Sequence, residues 1–489
     1  MGDMTIEFSW NWLGITALVL DFIIRVIAVI VVPRNRRPTA GMAWLLAIFL
    51  IPYLGVIVFL LIGNPKLPRV RRRKQYDINV YIRQTTRDLV KANLTSNAPA
   101  WFRSVVTLNR NLGSMPLQGG NAASLIGDYE ASLHAMAGDV DRAQHFVHVE
   151  FYILTCDRTT KPFFDALERA IERGVTVRVL LDHFASWRTP DYKHTLQRLT
   201  AMGAQWALML PLQPFKGKFQ RPDLRNHRKM VIVDGAVAYM GSQNMIDRSY
   251  NKPGNIKRGL QWQELMTRVE GPGVAGINTI FLSDWYSETG DVLSQEVGLL
   301  DARPVGDLEL QVVPSGPGFD GDNNLKLFLA LIYAAQRRIV ITSPYFVPDE
   351  SLLAAVTTAV QRGVPVDLFV SEIGDQAVVW HAQRSYYEAL LRAGVRIFQY
   401  PAPYILHAKH FTIDDDVAVI GSSNMDMRSF GLNLEVSLMV RGREFVREMR
   451  AVEDGYREIS KELTLAEWLK QPLRSTVLDN LARLTSALQ

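Results

Sequence analysis

The chain carries the same chemical text twice. Residues 225–250 read RNHRKMVIVDGAVAYMGSQNMIDRSY, and residues 405–430 read ILHAKHFTIDDDVAVIGSSNMDMRSF. Aligned without a gap at an offset of 180 residues, both copies hold His-x-Lys-x4-Asp, then Gly-Ser-x-Asn, and end in an aromatic. Chance convergence of two unrelated strands on six matched polar and glycine positions is a poor explanation. Two long copies point to duplicated, fused halves and not to a solenoid, which needs at least three short repeats. The common polar residues point to two half-sites meeting in one centre.

The text around each motif repeats too. HFVHVEFYIL (145–154) and RIVITSPYFV (338–347) read as strands, VTVRVLLD (175–182) and VPVDLFVS (364–371) as second strands. Between and after them, helical stretches stop at Gly174, Gly203, Gly363 and Gly394, the residue that ends a helix before an apolar run. The expected class is α/β, two pseudo-symmetric domains whose mainly parallel sheets are flanked by helices.

Strand parity orders the motif residues. Positions i and i+2 face the same way, so His227 projects with Lys229, and His407 with Lys409. Asp234 and Asp414 complete the motifs and count with the catalytic set, but at i+7 they face away and are expected to brace a loop. Gly241-Ser242 and Gly421-Ser422 read as tight turns leading to Asn244 and Asn424. Two Lys, two Asn, two Ser and two His make a donor-rich cage suited to a phosphoryl group, whose transition state spreads negative charge over its oxygens. One imidazole can attack phosphorus while the other moves the proton of the alcohol. Each needs a partner on its other nitrogen, and Glu264 and Glu435, on the strands after the motif loops, are the candidates. No His/Cys/Asp cluster has metal-ligand spacing, so neither metal nor cofactor is expected. His134, His145, His148, His183, His194 and His410 receive no role, and His381 stays ambiguous. Cys156, the single cysteine, reads as a small buried residue.

Residues 11–32 and 41–63 are each apolar over a length that crosses a hydrocarbon core, about 20 residues, and read as a two-helix membrane hairpin. The acidic start (Asp3, Glu7) is not that of a cleavable signal. Asp21 and Arg25, four apart, are expected to pair within the first helix and face the second. Three cations lie in the short loop (Arg34, Arg36, Arg37) and six after the second span (Lys66, Arg69, Arg71, Arg72, Arg73, Lys74). This asymmetry favours the cytoplasmic side for the catalytic part beyond the second span. Residues 22–76 hold ten Lys/Arg and no acid, and residues 1–21 hold three acids and no base. Subtracting these from 54 basic and 49 acidic residues leaves 44 and 46 in 77–489, formally −2. The basic surplus therefore belongs to the anchor, where it suits anionic lipid, and the body lacks the charge expected of a nucleic-acid enzyme. The tail, with Leu473, Val477, Leu481, Leu484 and Leu488 at helical spacing, is expected to dock by that stripe, the alternative being a membrane-surface helix.

The two H-x-K-x4-D motifs resemble those of the phospholipase D superfamily. GNPKLP (63–68), VVPSGP (312–317), TSPYFVPDE (342–350), RSYYEALLRAGVRI (384–397), SSNMDMRSFGLNLE (422–435) and RNHRKMVIVDG (225–235) are similar to the bacterial cardiolipin synthases within it. The resemblance runs from anchor to tail. It implies two phospholipase D-like domains and metal-free transfer of a phosphatidyl group between two phosphatidylglycerol molecules, giving cardiolipin and glycerol through a phosphohistidine. Further implications are His227 as nucleophile, His407 as acid/base, phosphate binding by Lys229, Lys409, Asn244 and Asn424 (with Ser242 and Ser422 beside them), and histidine orientation by Glu264 and Glu435. Trp262-Gln263-Glu264 departs from the family's Trp-Arg-Asp, and Gly-Ser stands where Gly-Gly is common. The alternatives are a membrane-bound phospholipase D releasing phosphatidic acid, a superfamily nuclease, and an inactive scaffold. The expected division is an anchor at 1–75, a connecting segment at 76–120, a first domain at 121–300 and a second, with a C-terminal helix, at 301–489. The expected setting is the cytoplasmic membrane, multi-pass, with phosphatidylglycerol and anionic lipids as partners and no nucleic acid. The sequence leaves the oligomeric state open.

Overall fold

The computed structural model describes residues 12–34, 38–63, 67, 69–85, 98–213, 218–293, 303–319 and 321–484. Asp3, Glu7, Arg36, Arg37, Lys66, Leu488 and the boundary expected at 300/301 lie outside them. The chain forms two compact units, residues 1–66 and 67–489.

In the first unit the helix Trp12–Val31 is long and apolar enough to cross a membrane. Asp21 and Arg25 pair as the sequence predicts, Nε to Oδ2 at 2.8 Å, and the guanidinium lies 5.3 Å from the ring centre of Phe49 in the second apolar segment. That segment is not one helix. It breaks into Pro38–Leu50 and Pro52–Ile62, with Ile51 at φ −136° and ψ 76°. Pro52 explains the break: it has no N–H to donate to residue 48, and it pushes the residue before it out of the α region.

The second unit is built on one sheet that runs through both halves. In the first half Phe146–Phe151, Thr176–Asp182 and Gln205–Met209 lie parallel. In the second half Ile339–Thr342, Val366–Ser371 and Arg396–Tyr400 do the same. The helices preceding the later strands end as expected, with Gly174, Gly203, Gly363 and Gly394 at φ between +85° and +97°, a conformation in which only glycine avoids a Cβ clash.

The sheet is mixed, not mainly parallel. Each motif strand (Lys229–Val233, His410–Ile413) returns antiparallel along the first strand of its half. It then turns through a short hairpin to Val237–Gly241 or Val417–Gly421. A connection this short cannot cross over, so it imposes antiparallel pairing. Met266–Glu270, Gln118–Ile126, Leu308–Ser315 and Asn433–Arg441 then join the halves, all antiparallel. One apolar cluster draws on both halves, Met230, Ile232 and Met240 packing with Ala418, Ile420 and Leu438. The duplicated domains thus have a continuous core.

The helix Arg69–Thr85 belongs to this unit. Arg71 donates to both carboxylate oxygens of Glu288 at 2.7 and 2.5 Å, and Lys74 Nζ donates to the Tyr286 carbonyl at 2.9 Å. These two cations of the basic cluster are engaged with protein.

Candidate active site

Two short strands cross between the halves and carry the histidines with them. Arg225–Asn226 runs parallel to Asn433–Leu434, and the His227 N–H donates to the Leu434 carbonyl at 2.8 Å. Symmetrically, Gln261–Gln263 runs parallel to Tyr404–Leu406, and the His407 N–H donates to the Gln263 carbonyl at 2.7 Å. Each histidine backbone is therefore fixed to the other half's glutamate strand.

The side chains repeat the exchange. His227 Nδ1 lies 3.0 and 3.1 Å from the oxygens of Glu435, and His407 Nδ1 lies 2.7 Å from Glu264. All four residues are buried or nearly so. With Nδ1 occupied, Nε2 is the nitrogen available for chemistry, because the bond on one ring nitrogen sets the tautomer of the other.

The Gly-Ser turns hold the glutamates. Ser422 Oγ donates to Glu435 at 2.5 Å, while its N–H donates to the Val436 carbonyl at 3.0 Å. The Ser242 N–H donates to the Leu265 carbonyl at 3.0 Å, and its Oγ accepts from the Leu265 N–H at 2.9 Å. Only glycine permits this approach: a Cβ at Gly241 or Gly421 would lie 2.3 Å from the Leu265 or Val436 carbonyl oxygen. The two serines are thus not placed to bind phosphate, as the sequence suggested. Their hydroxyls are spent behind the histidines.

His227, His407, Asn244 and Asn424 face one cavity of about 630 Å³. Asn424 Oδ1 has no protein partner there, whereas Asn244 is engaged by the Ile153 N–H and the Tyr250 hydroxyl. Arg188, Arg225, Lys252 and Arg428 bring cations to the cavity, against Asp375 and Asp426. Lys229 and Lys409 lie behind its wall, each donating to the carbonyl of its own motif histidine, at 2.5 and 2.6 Å. They act on the cavity through their charge, which a buried setting screens weakly.

Burial sets the proton affinities. It drives His227 well below the ordinary imidazole value, helped by the charges of Lys229, Lys409 and His407. It lowers His407 as well, opposed by Glu264. Burial alone would raise Glu264, but the His407 charge and hydrogen bond, with Lys409 and Ser242, hold it below the ordinary carboxylate value. Burial prevails at Glu435, pushed up to about 7. It depresses Lys229 strongly and brings Lys409 down to about 8. The two His–Glu pairs are alike in geometry and unlike in charge.

Asp234 and Asp414 do not belong to the reacting set. Asp234 accepts the N–H groups of Gln144, His145 and Phe146 at 2.7–2.8 Å, and Asp414 accepts those of Gln336, Arg337 and Arg338. Both sit at positive φ, 51° and 48°, which aspartate tolerates better than most residues. They brace the turn into the first strand of each half, as strand parity indicated. His381 is also placed, 2.6 Å from Asp479 and outside the cavity lining. Among the described residues no group of three or more His, Cys, Asp or Glu side chains is placed to hold a metal.

Other residues escaped the sequence reading. Tyr152 and Tyr345 lie just beyond the two first strands, and each meets its own half's histidine edge-on: Tyr152 lies 5.0 Å from His227 and Tyr345 6.3 Å from His407, centroid to centroid. Arg228, between His227 and Lys229, donates Nε to the Glu435 carbonyl at 3.1 Å and pairs with Asp284 on the opposite side. It fastens the crossed strand from behind.

Comparison with known proteins places these features. The model described as "Cardiolipin synthase, PLD-like domain" matches residues 137–285 and 328–454. The "Phospholipase_D-nuclease N-terminal" model matches residues 23–64. The chain is 31% identical to cardiolipin synthase A of Wigglesworthia glossinidia brevipalpis over 96% of this chain and 94% of that protein. It is 32% identical to cardiolipin synthase A of Proteus mirabilis (strain HI4320) over 93% and 94%. The crystal structure of phosphatidylserine synthase from Haemophilus influenzae Rd KW20 superposes with a TM-score of 0.60 at 14% identity, covering 80% of this chain and all of that one. That likeness concerns the fold.

Proposed function

The chain belongs to the family of cardiolipin synthases with phospholipase D-like domains, and we propose that it transfers a phosphatidyl group from one phosphatidylglycerol to the headgroup hydroxyl of another. The observation that carries this reading is the pair of crossed His–Glu couples opening on one cation-lined cavity.

Atoms and protons balance at each step. His227 Nε2 attacks the donor phosphorus. The phosphorus–oxygen bond to the headgroup glycerol breaks as His407 protonates the departing oxygen, releasing glycerol and leaving a phosphatidyl–histidine. His407, now neutral, takes the proton of the acceptor's hydroxyl. That oxygen attacks phosphorus, the phosphorus–nitrogen bond breaks, and cardiolipin leaves with both histidines restored. His227, which burial and neighbouring cations keep neutral, suits the nucleophile. His407, whose proton affinity Glu264 supports, suits the acid. Lys229 and Lys409 supply positive charge to the phosphoryl oxygens from behind the wall, and Asn244 and Asn424 contact the phosphate from within it.

On this reading residues 1–66 anchor the enzyme in the cytoplasmic membrane by more than one pass, the stretch to 120 connects, and 121–300 and 301–489 are the two catalytic halves on the cytoplasmic side; the 75/76 boundary expected from the sequence falls inside the helix Arg69–Thr85. The excess of cations after the second apolar segment supports that side. The two stretches matched by the domain model fall one in each half.

Product analysis tests the reaction. Full-length protein in micelles of phosphatidylglycerol should yield cardiolipin and glycerol in equal amounts, with or without chelator. Phosphatidic acid as the main product would replace the synthase reading with hydrolysis by the same centre.

A further inference from the structure

The C-terminal helix presents an unexpected face to the protein. Along Leu473–Arg483 the inward positions are Ser475, Asp479 and Ala482. Asp479 is buried, 2.6 Å from His381 and 3.3 Å from the Arg384 Nε, and Ser475 Oγ accepts from Arg384 at 3.1 Å. The leucine stripe expected to dock faces out. Leu473 and Leu484 are 79% exposed, Leu481 56% and Val477 48%, and these four positions fall within about 80° of arc at about 100° per residue. A soluble helix normally buries such a stripe, and a contiguous exposed apolar patch marks an interaction surface.

Three observations select the occupant. The helix to which this one is moored, Ala377–Arg384, also supplies Val378 and Val379 to the cavity wall, so the exposed stripe borders the element that forms one side of the site. Elsewhere on the wall the cations Arg188 and Lys252 stand beside the exposed side chains of Trp187 and Ile256, with Lys257 and Arg258 following. Finally, exposed Lys470, Arg474 and Arg483 border the stripe, while the helix's one acid is turned inward and paired. Apolar side chains flanked by cations complement an anionic lipid surface, where an amphipathic helix sinks its apolar face about 5–10 Å into the headgroup boundary.

We infer that the Leu473–Leu484 face, with Trp187 and Ile256, seats the catalytic unit on an anionic lipid surface at the cavity mouth. The inference rests on the proposed function only for what the mouth takes from that surface.

The test uses the full chain in phosphatidylglycerol-containing nanodiscs. Cys156 is buried and its thiol is pushed up to about 11, so single introduced cysteines can be labelled selectively. Labels at Leu473→Cys and Leu481→Cys should be quenched by nitroxide lipids and shielded from iodide, while one at the exposed Arg443→Cys should be open to iodide. Iodide access at Leu473→Cys and Leu481→Cys would overturn the inference. So would shielding from both quenchers with cross-linking between two copies, which would make the stripe a protein interface.

A second measurement reads turnover. The triple variant Leu473→Gln, Val477→Gln, Leu481→Gln should raise KM for bilayer phosphatidylglycerol on the order of tenfold at unchanged kcat. It should leave turnover of monomeric short-chain phosphatidylglycerol as in the parent. Equal turnover on both substrates would overturn the inference. If the parent protein transfers nothing from either, the proposed function fails while the quenching result still decides this one.

Discussion

His227 of the first motif is held by Glu435 of the second half, with Nδ1 3.0 Å from the carboxylate, and the mirror pair joins His407 to Glu264 at 2.7 Å. Neither half contains a complete site. The unit that does chemistry is the pair, in keeping with the one sheet and the apolar cluster that the two halves have in common.

Crossing predicts which variants behave alike. Glu435→Gln should mimic His227→Ala, and Glu264→Gln should mimic His407→Ala, each glutamate variant losing about 10- to 100-fold in kcat as an orienting partner. A phosphodiester with a p-nitrophenyl leaving group needs no general acid, so its first-turnover burst should be restored in His407→Ala and Glu264→Gln only. Restoration that followed the half instead of the crossed pair would contradict the geometry.

The pH profile of kcat/KM should be a narrow bell. Below about 7 Glu435 is protonated and cannot accept the His227 Nδ1–H, so activity falls as the pH drops. Above about 8 Lys409 loses its charge, so activity falls as the pH rises. Lys409→Arg, whose guanidinium stays charged, should remove the basic limb. Stability runs the other way. The raised Glu435 stabilises the fold at low pH, a contribution lost as pH rises through about 7. The lowered Lys409 stabilises it at high pH, a contribution lost as pH falls through about 8. Both groups are therefore held at a cost where activity peaks.

Ser422→Ala separates the two placements of the Gly-Ser serines. A serine on the phosphate would raise KM. One that fixes Glu435 should lower kcat, with KM little changed, and shift the acid limb. Gly421→Ala forces a Cβ against the Val436 carbonyl and should cost about 1–3 kcal/mol in unfolding free energy.

Asp234→Asn tests the brace. Asparagine tolerates the positive φ, so the change isolates the carboxylate that accepts three N–H groups. Thermal unfolding should show a loss of about 1–3 kcal/mol, and the folded fraction should keep near-normal kcat. A collapse of kcat without loss of stability would return Asp234 to the reacting set.

Much of this was legible in the residues. The duplication gave two halves, parity paired His with Lys and turned Asp234 and Asp414 away, and four glycines marked the helix ends. The glutamates were found, but not their exchange, because a contact across 208 positions of chain leaves no local pattern. Ser242 and Ser422 were misplaced because a hydroxyl near a motif looks the same whether it meets substrate or strand. Pro52 did signal the break in the second apolar segment, and hydropathy over the whole stretch masked it. The tail stripe was real, but one buried aspartate, Asp479, reversed the helix.

The central claim is that two crossed histidines run one covalent transfer with His227 as nucleophile. The most direct measurement is to quench the full-length enzyme during turnover of phosphatidylglycerol labelled in its phosphatidyl part, digest it under alkaline conditions, and locate the label by mass spectrometry. The account predicts a phosphatidyl adduct on the peptide containing His227. A label on His407 would reverse the roles, and turnover with no histidine adduct in either half would contradict the mechanism.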